Sequence, residues 1–101
     1  MNTQTPPTLE SLRAQRKEIL ALAEKYGAKN FRVFGSVARG EATPDSDIDF
    51  LVDFQSGLTL LKLSGLVRSL RELLGHRVEV ASSAHLREEI REGILQDALP
   101  L

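Results

Sequence analysis

A chain of 101 residues with 42% apolar and 27% charged content is sized for one folded domain and is too apolar for a disordered polyelectrolyte. Its formal net charge of −1 supplies no bulk attraction for nucleic acid or an anionic membrane. With no cysteine, disulfides, thiolate nucleophiles and cysteine zinc sites are all excluded.

No apolar run is long enough to span a bilayer, and the polar Met1–Thr8 start does not read as a signal peptide, so a cytoplasmic address is expected. Residues 1–8 are expected to form a flexible tail ahead of a single domain over residues 9–101. Thr8, after Pro6-Pro7, suits a helix cap. Leu9, Leu12, Ile19, Leu20, Leu22, Ala23 and Tyr26 then recur at helical spacing up to a stop at Gly27. Phe31-Arg-Val-Phe34 reads as a strand ended by Gly35-Ser36. Val37-Ala38-Arg39 is expected to make one helical turn before Gly40, and Glu41–Ser46 a turn-rich loop.

Asp47–Phe54 reads as a second strand, with Ile48, Phe50, Val52 and Phe54 on one face and Asp47, Asp49, Leu51 and Asp53 on the other. Gln55-Ser-Gly57 closes it. A helix is expected between Leu58 and Leu74, carrying Leu63, Leu66, Val67, Leu70, Leu73 and Leu74 and stopping at Gly75. A third strand, His76–Ala81, points Glu79 away from the Val78 and Val80 face. Ser82 or Ser83 is expected to cap a last helix with Leu86, Ile90, Ile94, Leu95, Ala98 and Leu99. The alternation implies an α/β (α+β) domain: about three strands in a small mixed sheet, packed with about four helices.

The chemistry concentrates in Phe34–Asp49. Asp47 and Asp49, at i and i+2 on a strand, sit roughly 6.6 Å apart at the backbone and converge above one face. Carboxylates held about 5 Å apart repel by roughly 3 kcal/mol at an effective dielectric near 20, so a cation between them is favoured. Magnesium accepts one or two carboxylates together with substrate phosphates, and two such ions can stabilise both the attacking and the leaving oxygen. Gly35 lets backbone N–H groups approach an anion, and the Ser36 hydroxyl adds a donor.

Three other readings compete. A calcium loop starting at Asp45 fails, because Phe50 stands where glycine is needed and Ser56 where glutamate is needed. A P-loop from Gly35 to Gly40 fails, because Glu41 occupies the lysine position. The third makes Asp47 and Asp49 plain polar residues on a solvated strand, which the upstream Gly-Ser disfavours.

Gly35-Ser36, ten residues, then Asp47-Ile-Asp49 resembles the signature of the polymerase-β-type nucleotidyltransferase superfamily. The fuller string Phe34-Gly-Ser-Val-Ala-Arg-Gly-Glu-Ala-Thr-Pro-Asp-Ser-Asp-Ile-Asp-Phe-Leu-Val52 resembles its minimal nucleotidyltransferase branch, over nearly the whole chain. The resemblance implies that Asp47 and Asp49 hold Mg2+, with two ions expected, and that Gly35 and Ser36 contact the triphosphate of ATP. It implies a third carboxylate on a neighbouring strand, where Glu79 stands in place of the family's usual aspartate, one methylene longer. A plain exposed strand glutamate is the alternative for Glu79. Arg39 can meet phosphate or form a structural salt bridge. His76 and His85 lack partners at metal-ligand spacing and read as surface residues.

The implied reaction is attack of an acceptor hydroxyl on the α-phosphorus of ATP. In this branch the acceptor is a tyrosine of a helical HEPN-type (HepT-like) toxin, and the small chain is its antitoxin. Two rivals remain: neutralisation by binding alone, and transfer to a small molecule such as an aminoglycoside. No basic groove with interleaved aromatics supports direct nucleic-acid binding.

Overall fold

Thr8 caps the first helix: its hydroxyl accepts from the Ser11 N–H at 3.0 Å, while the Ser11 hydroxyl accepts from the Thr8 N–H at 3.0 Å. Serine thus does at the third helical position what glutamate does in the common capping box. The computed structural model describes residues 5–55, 57 and 59–101. Of the expected tail, residues 1–4 lie outside these, and Pro7 is buried.

The single helix expected from Leu9 to Tyr26 is two, α1 (Leu9–Ala14) and α2 (Arg16–Lys25), broken at Gln15 with φ −106° and ψ 19°. The pattern explains the break. Between Leu12 and Ile19 only Ala14 is apolar, so the turn around Gln15 and Arg16 has nothing to hold it to the core. A bend there lets Leu12 and Ile19 both reach burial, at 2% and 0% exposure.

β1 (Ala28–Phe34) runs antiparallel to β2 (Ile48–Phe54), and β3 (Val78–Ser82) is parallel to β2. The mixed sheet is therefore as expected, but it has a fourth strand. The closing Leu99–Pro100 forms β4 against β1, giving the order β3-β2-β1-β4. Proline has no N–H to donate, so its place at a sheet edge is the one available to it. The Leu101 N–H then donates to the Phe31 carbonyl at 3.1 Å, and Leu101 is buried.

Ile48, Phe50, Val52, Val33, Phe31 and Val78 form the inner sheet face beneath Leu12, Ile19, Ala23, Leu66 and Leu70. The Phe31 and Phe50 rings lie 4.8 Å apart, tilted by 58°. Leu66 and Leu70 belong to α4 (Leu60–Leu74), which Thr59 caps through the Lys62 N–H and which ends at Gly75 with φ 68°. The expected start at Leu58 and the Ser56 turn position lie outside the described residues. Gly65 lets α4 meet α2, since a Cβ there would collide with the Tyr26 ring.

The last helix, α5 (Glu88–Asp97), is not capped by Ser82 or Ser83. Ser82 is buried beside His85 Nδ1 at 3.0 Å, and the Ser83 hydroxyl donates to Asp53 inside a 3₁₀ turn over Ser83–His85. Both hydroxyls are already spent, so the helix starts later behind Arg87 with no side-chain cap. Among the described residues no helix is long and apolar enough to cross a membrane.

Candidate active site

The site lies where three strands meet. β1 ends at Phe34, which opposes Asp49, and the parallel register of β2 and β3 sets Asp49 beside Glu79. Glu79 thus stands next to the aspartates, as the sequence suggests, and is exposed. Asp47 precedes β2 rather than lying in it, a correction to the expected strand start. Its N-terminal position leaves its carboxylate free of the pleat that orients Asp49.

The cluster acts on Asp49. Burial, then the charges of Glu79 and Asp47, push the Asp49 carboxyl up from 3.8 to about 6, against a weaker opposing pull from Arg39. Asp47 Oδ1 is buried without a hydrogen-bond partner. Arg77 Nε lies 3.0 Å from that oxygen, close enough to pair by charge but not aligned to donate.

Gly35 is needed twice. It holds φ +75°, and a Cβ there would run into Asp49 Oδ2. The glycine therefore admits the carboxylate as well as any phosphate. Ser36 follows at the second position of a short helix, α3 (Gly35–Arg39), half-buried, and Gly40 ends that helix at φ 73°. The helical turn expected at Val37–Arg39 is thus present and begins two residues earlier.

Of the two readings open for Arg39, the structure contains the salt bridge. Its guanidinium pairs with Glu41 at 2.8 Å and Asp97 at 2.7 Å, and both hydrogen bonds hold its pKa above the ordinary value. Arg39 thereby ties α3 to the last residue of α5. The histidines are apart from the carboxylates: His85 is exposed, and half-buried His76 lines a cavity of about 590 Å³ with Asp45, Ser46, Arg71, Gly75 and Arg77. Sequence reasoning missed Arg77. Its signal was its place two residues before Glu79, hence on the same side of the approaching strand.

The donor set suits a hard divalent cation: hard oxygen ligands, one of them buried and unpartnered, beside a carboxyl whose ionisation its neighbours oppose. No three His, Asp or Glu side chains among the described residues already surround a common point. Magnesium needs fewer, since it commonly combines one or two carboxylates with phosphate and water oxygens.

Comparison with known proteins identifies the family. The nucleotidyltransferase domain family matches residues 15–100. The protein adenylyltransferase MntA of Thermococcus cleftensis is 41% identical over 88 residues, covering 87% of this chain and 86% of that protein. A solved structure described as a minimal nucleotidyltransferase superposes with a TM-score of 0.82 at 49% identity, covering 94% of this chain and 97% of the other. A toxin–antitoxin crystal structure with AMP-PNP shares the fold, with a TM-score of 0.73 at 19% identity over 83% of this chain and 69% of that one. The chain belongs to the nucleotidyltransferase domain family and is an enzyme of its minimal branch.

Proposed function

We propose that this chain transfers AMP from ATP to a hydroxyl of a partner protein, a tyrosine of a HEPN-type toxin, and acts as that toxin's antitoxin in the cytoplasm. The observation that carries the reading is the row of Asp47, Asp49 and Glu79 beside the Gly35-Ser36 turn. Its support from relatives is the protein adenylyltransferase activity named for the Thermococcus cleftensis protein and the toxin–antitoxin assemblies that share the fold.

Asp47 and Asp49, with Glu79 as a third donor, would hold Mg2+, which supplies positive charge to the phosphates and to the departing pyrophosphate. Gly35 and Ser36 orient the triphosphate through backbone N–H groups and the hydroxyl. The acceptor oxygen forms its bond to the α-phosphorus as the bond from that phosphorus to the bridging oxygen breaks. Glu79, the exposed one of the three, takes the hydroxyl proton. Arg39 holds α3 against α5 through its ion pair with Asp97. Chemistry of this kind depends on positioning and charge, which a small scaffold can provide.

Purified protein mixed with the toxin and labelled ATP is expected to label the toxin on tyrosine, and Asp49→Asn to abolish the label. Neutralised toxin that never acquires label would replace this reading with one of binding alone.

A further inference from the structure

Arg77 is placed against a carboxylate that the proposed reaction requires for something else. Its Nε lies 3.0 Å from Asp47 Oδ1, the buried oxygen with no hydrogen-bond partner. The same guanidinium donates to the Asp45 carbonyl at 3.3 Å. The neighbouring Arg71 is turned away onto the Val78 carbonyl, at 3.4 and 3.2 Å. Arg77 is thus the cation that pairs with Asp47 among the described residues.

Its backbone is fixed, because the Arg77 carbonyl accepts the Ile48 N–H at 2.9 Å and keeps the stem beside Asp47. Its side chain is not fixed. At 75% exposure it loses little packing by moving, and the cavity of about 590 Å³ that it lines gives the guanidinium somewhere to go.

We propose that Arg77 is an exchangeable counter-ion for Asp47, a positioning residue that holds this carboxylate until a divalent cation displaces it. The proposal rests on the reading of Asp47 as a metal ligand. An ion that takes the buried Asp47 Oδ1 as its ligand competes with the Arg77 guanidinium for that same oxygen, so binding there favours the arginine leaving.

Direct titration of the nucleotide-free protein with Mn2+ alone, followed by electron paramagnetic resonance, tests this without any turnover. Arg77→Gln is expected to tighten Mn2+ binding about two- to fivefold, the scale of an exposed ion pair. Arg77→Lys keeps the charge and should stay near the wild-type affinity, and Asp47→Asn should weaken binding and erase the effect of Arg77→Gln. Unchanged or weaker binding in Arg77→Gln would overturn the role of Arg77 while leaving Asp47 as a ligand. Persistence of the tightening in the Asp47→Asn background would do the same. An Asp47→Asn protein that binds Mn2+ like wild type would instead remove the metal reading on which the inference stands.

Discussion

β2 carries two carboxylates, four residues apart on one face, under opposite electrostatics. Asp53 is saturated with donors: the Ser83 hydroxyl, Asn30 Nδ2 at 3.0 Å and Arg32 at 3.3 Å. The Ser83 bond first, then Asn30, hold its carboxyl below the ordinary range. Asp49 faces Glu79 and Asp47, and burial together with these charges pushes it to about 6. Asp53 satisfies its charge internally and so pins the irregularity in β1 where Asn30 takes φ 54°. Asp49 has no such set of donors: Arg39 opposes the shift only in part, and in the proposed function the remaining countercharge is a bound cation. One residue type on one strand is thus a fastener at one end and, in the proposed function, a receptor at the other.

Exchanging charge for amide at each position should separate the two roles. Asp49→Asn is expected to lower AMP transfer by about 10²- to 10³-fold, the usual cost of removing one preorganised electrostatic group. Asp53→Asn should leave the transfer rate within a few-fold of wild type. Equal losses in a labelled-ATP assay would break the distinction. Gly35→Ala probes the receptor end through shape, since the new methyl meets Asp49 Oδ2 and sits at φ +75°. It should cost about 1–3 kcal/mol in denaturant unfolding from backbone strain and abolish transfer as well.

Stability should order the two aspartates the other way. Asp53→Asn is expected to cost about 1.5–3 kcal/mol, the scale of hydrogen bonds to a charged group. Asp49→Asn should raise the melting temperature of the metal-free protein. The pH dependence follows from the two shifts. Asp49 has its folded pKa raised, so its contribution to stability is full below 3.8 and is lost as pH rises through about 6. The advantage of Asp49→Asn should therefore grow between pH 4 and pH 6.5 and then level off. Asp53 has its folded pKa depressed, so the penalty of Asp53→Asn should be full at neutral pH and shrink as the solution becomes strongly acid. Thermal melts at pH 4.5 and 7.5 read the first trend, and melts below pH 4 read the second.

Much of the receptor end was legible in the sequence, because its requirements are local. Gly35-Ser36 and Asp47-Ile-Asp49 lie within 15 residues of chain, and alternation along a strand sets which side chains share a face. Glu79 was legible once a third strand was assumed beside the second. The fastener end was not legible. Asp53 looked like one more carboxylate on the open face, since its partners Asn30, Arg32 and Ser83 come from distant segments that only the sheet register brings together. Leu51, on the face expected to be polar, is fully buried on a strand that β1 and β3 flank on either side. The break at Gln15 and the edge strand at Leu99–Pro100 escaped for a related reason. Each is set by what the rest of the fold leaves available, not by local propensity.

The smallest expected effect bears most directly on the comparison. If Asp49 is a receptor, Mg2+ should stabilise the folded protein by mass action, by about 0.4 kcal/mol at a concentration equal to Kd and about 1.4 kcal/mol at ten times Kd. For a chain of this size that is a rise in melting temperature of roughly 2–10 °C. The rise should be seen at pH 7.5, where the Asp49 carboxyl is ionised. It should shrink toward pH 5, where protons compete for the same oxygens. Asp49→Asn should lose it, while Asp53→Asn, starting from a lower melting temperature, should keep the full increment. A Mg2+ increment that survives Asp49→Asn and disappears in Asp53→Asn would reverse the assignment of fastener and receptor along β2.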